Sequence, residues 1–292
     1  MSFFRHKRNV VPVNKKISQK CYYCNTNIGN RRDCQKCKLI QPNAKIIVKR
    51  RQNKNIKRIF VLTLTGKDSR LNFFQKKTLP LLKEYNCFPF VGVDGRNVMA
   101  VRKMLEHFYR NNEQSVNTIM KHREKHPGSI GCYLSHMSIW DYVKNTQHSD
   151  EKYVLILEDD ATFEKHGIEN IEITLDKLQN LNWDILYFGH SPKVKGNVIT
   201  SNIIDPSSHP YPEKRTNCGF WGYAIKITSV PKLIEAVNNF ETMSIDATIQ
   251  YYFGKLINPL MLIKPIVHQS AGYSIRMKIE KEGKNQEKMI VM

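Results

Sequence analysis

Three short runs constrain this chain more than anything else in it: FVLTL (60–64), VLIL (154–157) and ILYF (185–188). Each is apolar almost without interruption, and none alternates with polar residues. A strand of that kind is covered on both faces, as in a sheet sandwiched between helices. The segments between them carry helical spacing. DSRLNFFQKKTLPLLKEY (68–85) repeats apolar residues at Leu71, Phe74, Leu81 and Leu82 behind an Asp/Ser start. Further along, CFPFVGVDG (87–95), YVLILEDD (153–160), WDILYFGH (183–190), GFWGYAIKI (219–227) and PLMLIKPIV (259–267) read as strands. GSIGCYLSHMSIWDYVKN (128–145) reads as a loop entering an amphipathic helix. NIEITLDKLQNL (170–181) and SVPKLIEAVNNF (229–240) read as helices. Strands alternating with helices predict an α/β fold with a mostly parallel central sheet.

Charge divides the chain. It has 292 residues and a net charge of +20. Residues 1–58 hold 17 Lys and Arg against one acid, Asp33, whereas residues 59–292 hold 29 basic and 25 acidic residues. The basicity therefore belongs to an N-terminal segment, and the remainder has the balance of an ordinary globular domain. Such a segment suits an anionic membrane surface, nucleic acid or an acidic partner, or is simply solvated. No apolar run reaches the length of about 18 residues that would suggest a membrane-spanning helix. The N-terminus lacks the apolar centre of a signal peptide. The expected location is the cytoplasm, with peripheral membrane attachment left open.

Four of the seven cysteines, Cys21, Cys24, Cys34 and Cys37, form two C-x-x-C pairs. This spacing suits a tetrahedral four-thiolate structural Zn²⁺ site, which would staple a segment too small for its own core. Two disulfides are the other reading, and the odd cysteine total together with the missing signal peptide weighs against it. The expected organisation is a basic tail (1–20), a four-Cys knuckle resembling a zinc ribbon (21–40), a basic linker (41–58), one α/β domain (59–276) and a charged tail (277–292).

The run VLIL ends in three consecutive acids, Glu158, Asp159 and Asp160. Open α/β sheets bind ligands at the carboxyl ends of their strands. Alternation puts Glu158 and Asp160 on one face and Asp159 on the other. Hard oxygens in that arrangement suit Mg²⁺ or Mn²⁺ and, through it, a phosphate. A nucleotide-binding P-loop is excluded because G-x-x-x-x-G-K-[ST] is missing. A receiver domain would open on its acidic strand, whereas here an α/β portion precedes it. Solvated strand-end charges are the plain structural alternative.

GSIGCYLSHMSIW, followed after a short gap by YVLILEDDATF, resembles glycosyltransferase family 25, which includes bacterial lipopolysaccharide β-galactosyltransferases and procollagen galactosyltransferases. Looser similarities extend over most of 59–275: IFVLTLTGKDSRLNFF, VGVDGRNV, WDILYFGH, GFWGYAIKITSVPKLIEAV and SIDATIQYYF. The four-Cys segment is not part of that pattern. The resemblance implies a GT-A fold, a UDP-sugar donor, catalytic Mn²⁺ (or Mg²⁺) and inversion at the anomeric carbon. It implies Asp160 as direct metal ligand, Glu158 as a second ligand or ribose contact, and Asp159 beside them. Arg70 would reach the diphosphate or uridine, or be a solvated helix start. Asp94 would read the nucleoside, or be a turn residue. Ser135 and His136 would lie on the donor side. The other reading of His136 is a buried, hydrogen-bonded ring, and Cys132 reads as a packing residue. Asp246 would be the carboxylate base that takes the acceptor proton, or else a helix N-cap. His268 would complete the metal shell, or be structural.

Two classes of function follow. One is a metal-dependent transferase moving a hexose, galactose or glucose, to a glycan, glycolipid or hydroxylysine. The other is a zinc-containing binding protein for nucleic acid or an acidic partner, on a degenerate transferase scaffold.

Overall fold

The computed structural model describes residues 54–65, 70–110, 112–146, 150–190, 195–208, 219–238 and 244–270. The expectations for the four-Cys segment, both charged tails and most of the basic linker lie outside the described residues, as do Asp68 and Ser69.

The chain begins with β1 (Ile56–Thr63), α1 (Leu71–Lys77) and β2 (Asn86–Val91). Arg58, which the sequence reading placed in the linker, lies in β1, and its guanidinium grips the buried Glu151 at 2.5 and 2.7 Å. The helix expected over 68–85 is split. It stops at Lys77, and a 3₁₀ turn over Leu79–Leu82 follows, with Pro80 near its start. Proline has no N–H to continue an α-helical ladder. Pro89 is tolerated in β2 because that strand forms the sheet edge.

Three helices then run consecutively: α2 (Val98–Phe108), α3 (Glu113–Lys125) and α4 (Pro127–Asn145). Asn97 and Asn112 start the first two by accepting the N–H groups of Ala100 and Ser115. The third differs from expectation. It is helical from Pro127 onward, through Gly128 and Gly131, and it is buried on nearly every side rather than on one stripe. Gly131 and Gly95 explain the glycines. A Cβ on Gly95 would collide with the Pro127 carbonyl, and one on Gly131 would meet Val93 O and Gly95 N. Two backbones touch there, so neither residue has space for a side chain.

The rest of the chain supplies β3 (Tyr153–Glu158), β4 (Ala161–Phe163), α5 (Gly167–Lys177), β5 (Ile185–Gly189), β6 (Asn197–Thr200), β7 (Ile203–Asp205), β8 (Gly222–Lys226), α6 (Val230–Asn238), α7 (Ile245–Tyr251), β9 (Pro259–Leu262) and β10 (Val267–Gln269). Eight of the strands form one sheet in the order β2-β1-β3-β8-β5-β9-β7-β6. β4 and β10 form a separate two-stranded antiparallel ribbon. The expectation of a mostly parallel sheet is corrected here. β1–β2, β1–β3 and β5–β9 are parallel, whereas β8 runs against both of its neighbours, and β7 runs against both β9 and β6.

The sheet separates two cores. One contains Trp140, Tyr133, Tyr223, Phe90 and Phe253, with contributions from α2, α3, α4, α6 and α7. The other contains Trp183, Phe74, Phe188, Ile171 and Leu175, with contributions from α1 and α5. Strands β3 and β5 are buried along their length and feed both cores, as their unbroken apolar runs require. Among the described residues, no helix is long and apolar enough to cross a membrane.

Candidate active site

The carboxyl ends of β1 and β3 lie side by side, with Leu62 in register with Glu158. β3 then turns at Asp159 and Asp160 into the β4–β10 ribbon, where Ser270 N–H bonds to the Asp160 carbonyl. The acids therefore sit where a sheet, a helix start and a ribbon meet.

The cation that these acids require is partly supplied by the chain itself. Arg70, at the start of α1, donates its backbone N–H to Asp159 Oδ2 and its Nε to Asp159 Oδ1, both at 2.9 Å. The same guanidinium extends Nη1 to Asp160 Oδ2. Thr63 Oγ1 donates to Asp159 Oδ2 at 2.6 Å. Asp159 is 2% exposed and committed to this clasp on both oxygens. Its neighbour is not. Asp160 Oδ2 accepts from Arg70 and from Gln269 Nε2 at 3.0 Å, while Oδ1 is buried and has no hydrogen-bond partner among the described residues. Burial first, and then the Glu158 charge, lift the Asp160 carboxyl to about 6, against the pull of Arg70 and Gln269. An orphaned buried oxygen and a raised pKa both fit a divalent cation, for which Asp160 and the partly exposed Glu158 are the available carboxylates.

Behind Glu158 lies a buried polar chain. His136 is fully buried; its Nδ1 is 2.8 Å from Tyr223 Oη, and its Nε2 is 3.9 Å from Glu158 Oε1. Tyr223 Oη also accepts from Trp140 Nε1 at 3.1 Å. Burial pushes the Tyr223 phenol well above its ordinary range, so it keeps its proton. Tyr223 Oη both donates and accepts, so it can pair with His136 Nδ1 in either tautomer of the ring, and Nε2 is directed to the Glu158 side.

The remaining predicted residues divide clearly. Ser135 accepts the Val93 N–H at 2.8 Å and donates to Gly131 O at 2.6 Å, so it bolts the end of β2 to α4. Asp94 is held by Arg96, through the backbone N–H and the guanidinium, at the same turn. Arg123 of α3 closes that turn by bonding to the Gly95 and Arg96 carbonyls. Asp246 lies in the first turn of α7, where its Oδ1 takes the Ala247 N–H. Ser244 occupies the N-cap position without a side-chain capping bond, so Asp246 is not the N-cap itself, although its side chain takes a first-turn N–H. His268 is not brought to Asp160: its Nε2 lies 3.3 Å from Glu164, and it is the next residue, Gln269, that reaches the acid. Gln269, Tyr223 and Trp140 are the residues that sequence reasoning left without a role. Strand alternation over Val267–Gln269 was the available signal for Gln269, since adjacent side chains on a strand face opposite ways.

The strand-end acids, the clasp and the α4 motif meet at one place in a mixed α/β domain. The chain belongs to glycosyltransferase family 25: the family model described as "Glycosyltransferase family 25 (LPS biosynthesis protein)" matches residues 56–249. Among relatives, it is 28% identical over 193 residues to a "Glycosyltransferase 25 family member" of Drosophila melanogaster, covering 62% of this chain and 28% of the relative. It is 27% identical over 184 residues to a "Procollagen lysyl hydroxylase and glycosyltransferase" of Acanthamoeba polyphaga mimivirus, covering 59% of this chain and 18% of the relative. It is also 27% identical over 140 residues to "Procollagen galactosyltransferase 2" of Mus musculus, covering 44% and 20%. The chain thus spans less than a third of the length of these relatives.

Proposed function

We propose that the domain transfers a hexose from a UDP-sugar to a hydroxyl acceptor, with inversion, on a GT-A-type scaffold. The observation that carries this reading is the orphaned Asp160 Oδ1 beside Glu158 at the carboxyl ends of β1 and β3. Glu158 and Asp160 would hold Mn²⁺ or Mg²⁺. That cation supplies the counter-charge for a departing nucleoside diphosphate. Asp159 fixes Arg70, and Arg70 in turn holds the Asp160 carboxylate in place. The Arg70 side chain is a quarter exposed, which leaves it available to an anionic donor group as well. Asp246 would accept the acceptor's proton. The relatives named for procollagen make galactose and a hydroxylysine-bearing acceptor the pair to try first; a glycan or glycolipid hydroxyl is chemically equivalent at the reacting atom.

The test is donor hydrolysis and transfer with a panel of UDP-sugars, with and without Mn²⁺, alongside Asp246→Asn. Metal-dependent release of UDP from one sugar is expected. In Asp246→Asn, transfer should fall by about 10²–10⁴-fold while UDP affinity holds. Failure of every UDP-sugar in a folded, Mn²⁺-loaded preparation would overturn the donor reading and favour the binding-protein class. Full transfer by Asp246→Asn would remove that residue from the chemistry.

A further inference from the structure

Cys132 and His136 lie one turn apart on α4, so both point to the same side of the helix. That side faces the end of β3. One ligand atom each from Cys132, His136 and Glu158 lie within 4.8 Å of one another. A tetrahedral zinc with bonds of about 2.0–2.3 Å sets its ligand atoms about 3.4–3.6 Å apart. The His136 Nε2 to Glu158 Oε1 distance is 3.9 Å, so a shift of a few tenths of an ångström closes that edge.

His136 distinguishes this cluster from a chance meeting of side chains. The ring is fully buried, Tyr223 fixes it through Nδ1, and Nε2 has no hydrogen-bond partner among the described residues. A buried, unpartnered imidazole nitrogen is costly to leave unsatisfied. A metal-ligating histidine is typically oriented in this way, by a hydrogen bond on the nitrogen that does not touch the metal. The donor set also differs in kind from the strand-end acids: thiolate and imidazole are soft to borderline and select Zn²⁺ or Co²⁺ over Mg²⁺.

We propose that Cys132, His136 and Glu158 form a second divalent-metal site, suited to Zn²⁺, with a fourth position open to solvent or ligand. On binding, the Cys132 thiol releases its proton to water, and the His136 ring holds its proton on Nδ1, donated to Tyr223 Oη, so that the sulfur and the Nε2 lone pair form the metal bonds. Where the donor reading above holds, Glu158 belongs to both sites, so zinc in the soft site withdraws a carboxylate from the donor side and slows donor hydrolysis.

The experiment uses the unmodified chain of 292 residues. Alkylation of Cys132 is followed by mass spectrometry of its peptide, in the presence of Zn²⁺, of Mg²⁺ or of a chelator. Reading a single peptide separates Cys132 from the four N-terminal cysteines, and neither a sugar donor nor turnover is involved. Zn²⁺ is expected to slow Cys132 alkylation about tenfold or more while Mg²⁺ leaves it unchanged. Glu158→Gln should weaken the protection, since even the loss of an outer-shell partner costs about 10–100-fold in metal affinity. Equal alkylation rates with Zn²⁺ and chelator would overturn the site, whatever the donor screen returns. Zinc protection of Cys132 without zinc inhibition of donor hydrolysis would leave the site standing and remove the shared role of Glu158.

Discussion

Asp160 and Asp184 are equally hidden, at 1% and 2% exposure, yet their surroundings differ. Asp184 precedes β5, at the amino end of its strand. Its oxygens accept from Ser229 Oγ at 2.5 Å, from Lys232 Nζ at 3.2 Å and from the Asn258 N–H at 2.9 Å. Every capacity of that carboxylate is spent on joining β5 to α6 and β9. Asp160, at the carboxyl end of β3, has a crowd of acids on one side and an oxygen with no partner. Burial of a charge is a structural device when it is fully paired, and an unresolved demand for a cation when it is not. The amino end of β5 is tied by internal bonds, whereas the carboxyl end of β3 keeps a buried oxygen that no group among the described residues bonds.

The largest effect should come from Asp160→Asn. Donor hydrolysis is expected to drop by at least about 100-fold, while the metal-free protein melts at or above the wild-type temperature, because a crowded carboxylate has been neutralised. The stabilisation gained from Mn²⁺ with UDP should shrink in paired melting curves. Retained turnover and an undiminished Mn²⁺–UDP shift would reduce the triplet to a charged strand end.

Asp184→Asn should behave in the opposite sense. Loss of the charge-assisted bonds to Ser229 and Lys232 is expected to cost about 2 kcal/mol in urea denaturation, with activity per folded molecule preserved. A variant that is stable but inactive would erase the distinction between the two ends of the sheet.

A smaller effect separates the two acids by pH. Because the Asp160 pKa is raised in the folded state to about 6, its contribution to stability is whole below its unfolded value of about 4. It is lost as the pH rises through about 6. The melting temperature of metal-free wild type should therefore fall relative to Asp160→Asn across that interval. A difference that stays flat from about pH 4 to pH 7 would mean that Asp160 feels no such demand. The smallest effect is expected for His268→Ala. The side chain is 43% exposed and, among the described residues, pairs with the partly exposed Glu164, so stability should change by about 0.5 kcal/mol or less. Turnover should stay near wild type. A loss on the scale of Asp160→Asn would bring the imidazole back to the cation.

What could be read from the sequence follows from where the physics is local. The apolar strands and the acids at the tip of VLIL are local features, and the structure contains them where the pattern puts them. Strand direction is not local: GYAIK has the same composition whichever way it runs, and β8 lies antiparallel between β3 and β5. The Asp160 partners come from 90 and 109 residues away, through Arg70 and Gln269, and no periodicity announces them. The α4 motif was misread for a related reason. Its glycines suggested a loop, whereas they mark the contact of two backbones that only the tertiary fold brings together. Ser135 and His136, adjacent in sequence, serve different elements, β2 and β8, because successive helical residues face different directions.

Helix α4 has one more consequence, for how the gene can vary. From Pro127 to Trp140 every residue except Cys132 is buried, so this stretch has no outward face on which substitutions can accumulate without harm. In a deep mutational scan scored by cellular abundance, an ordinary surface helix shows tolerance returning every three or four residues. Here intolerance should run through nearly four turns, easing only at Cys132, which is partly buried against the core. Selection for enzyme activity would be indistinguishable there from selection for having any protein at all.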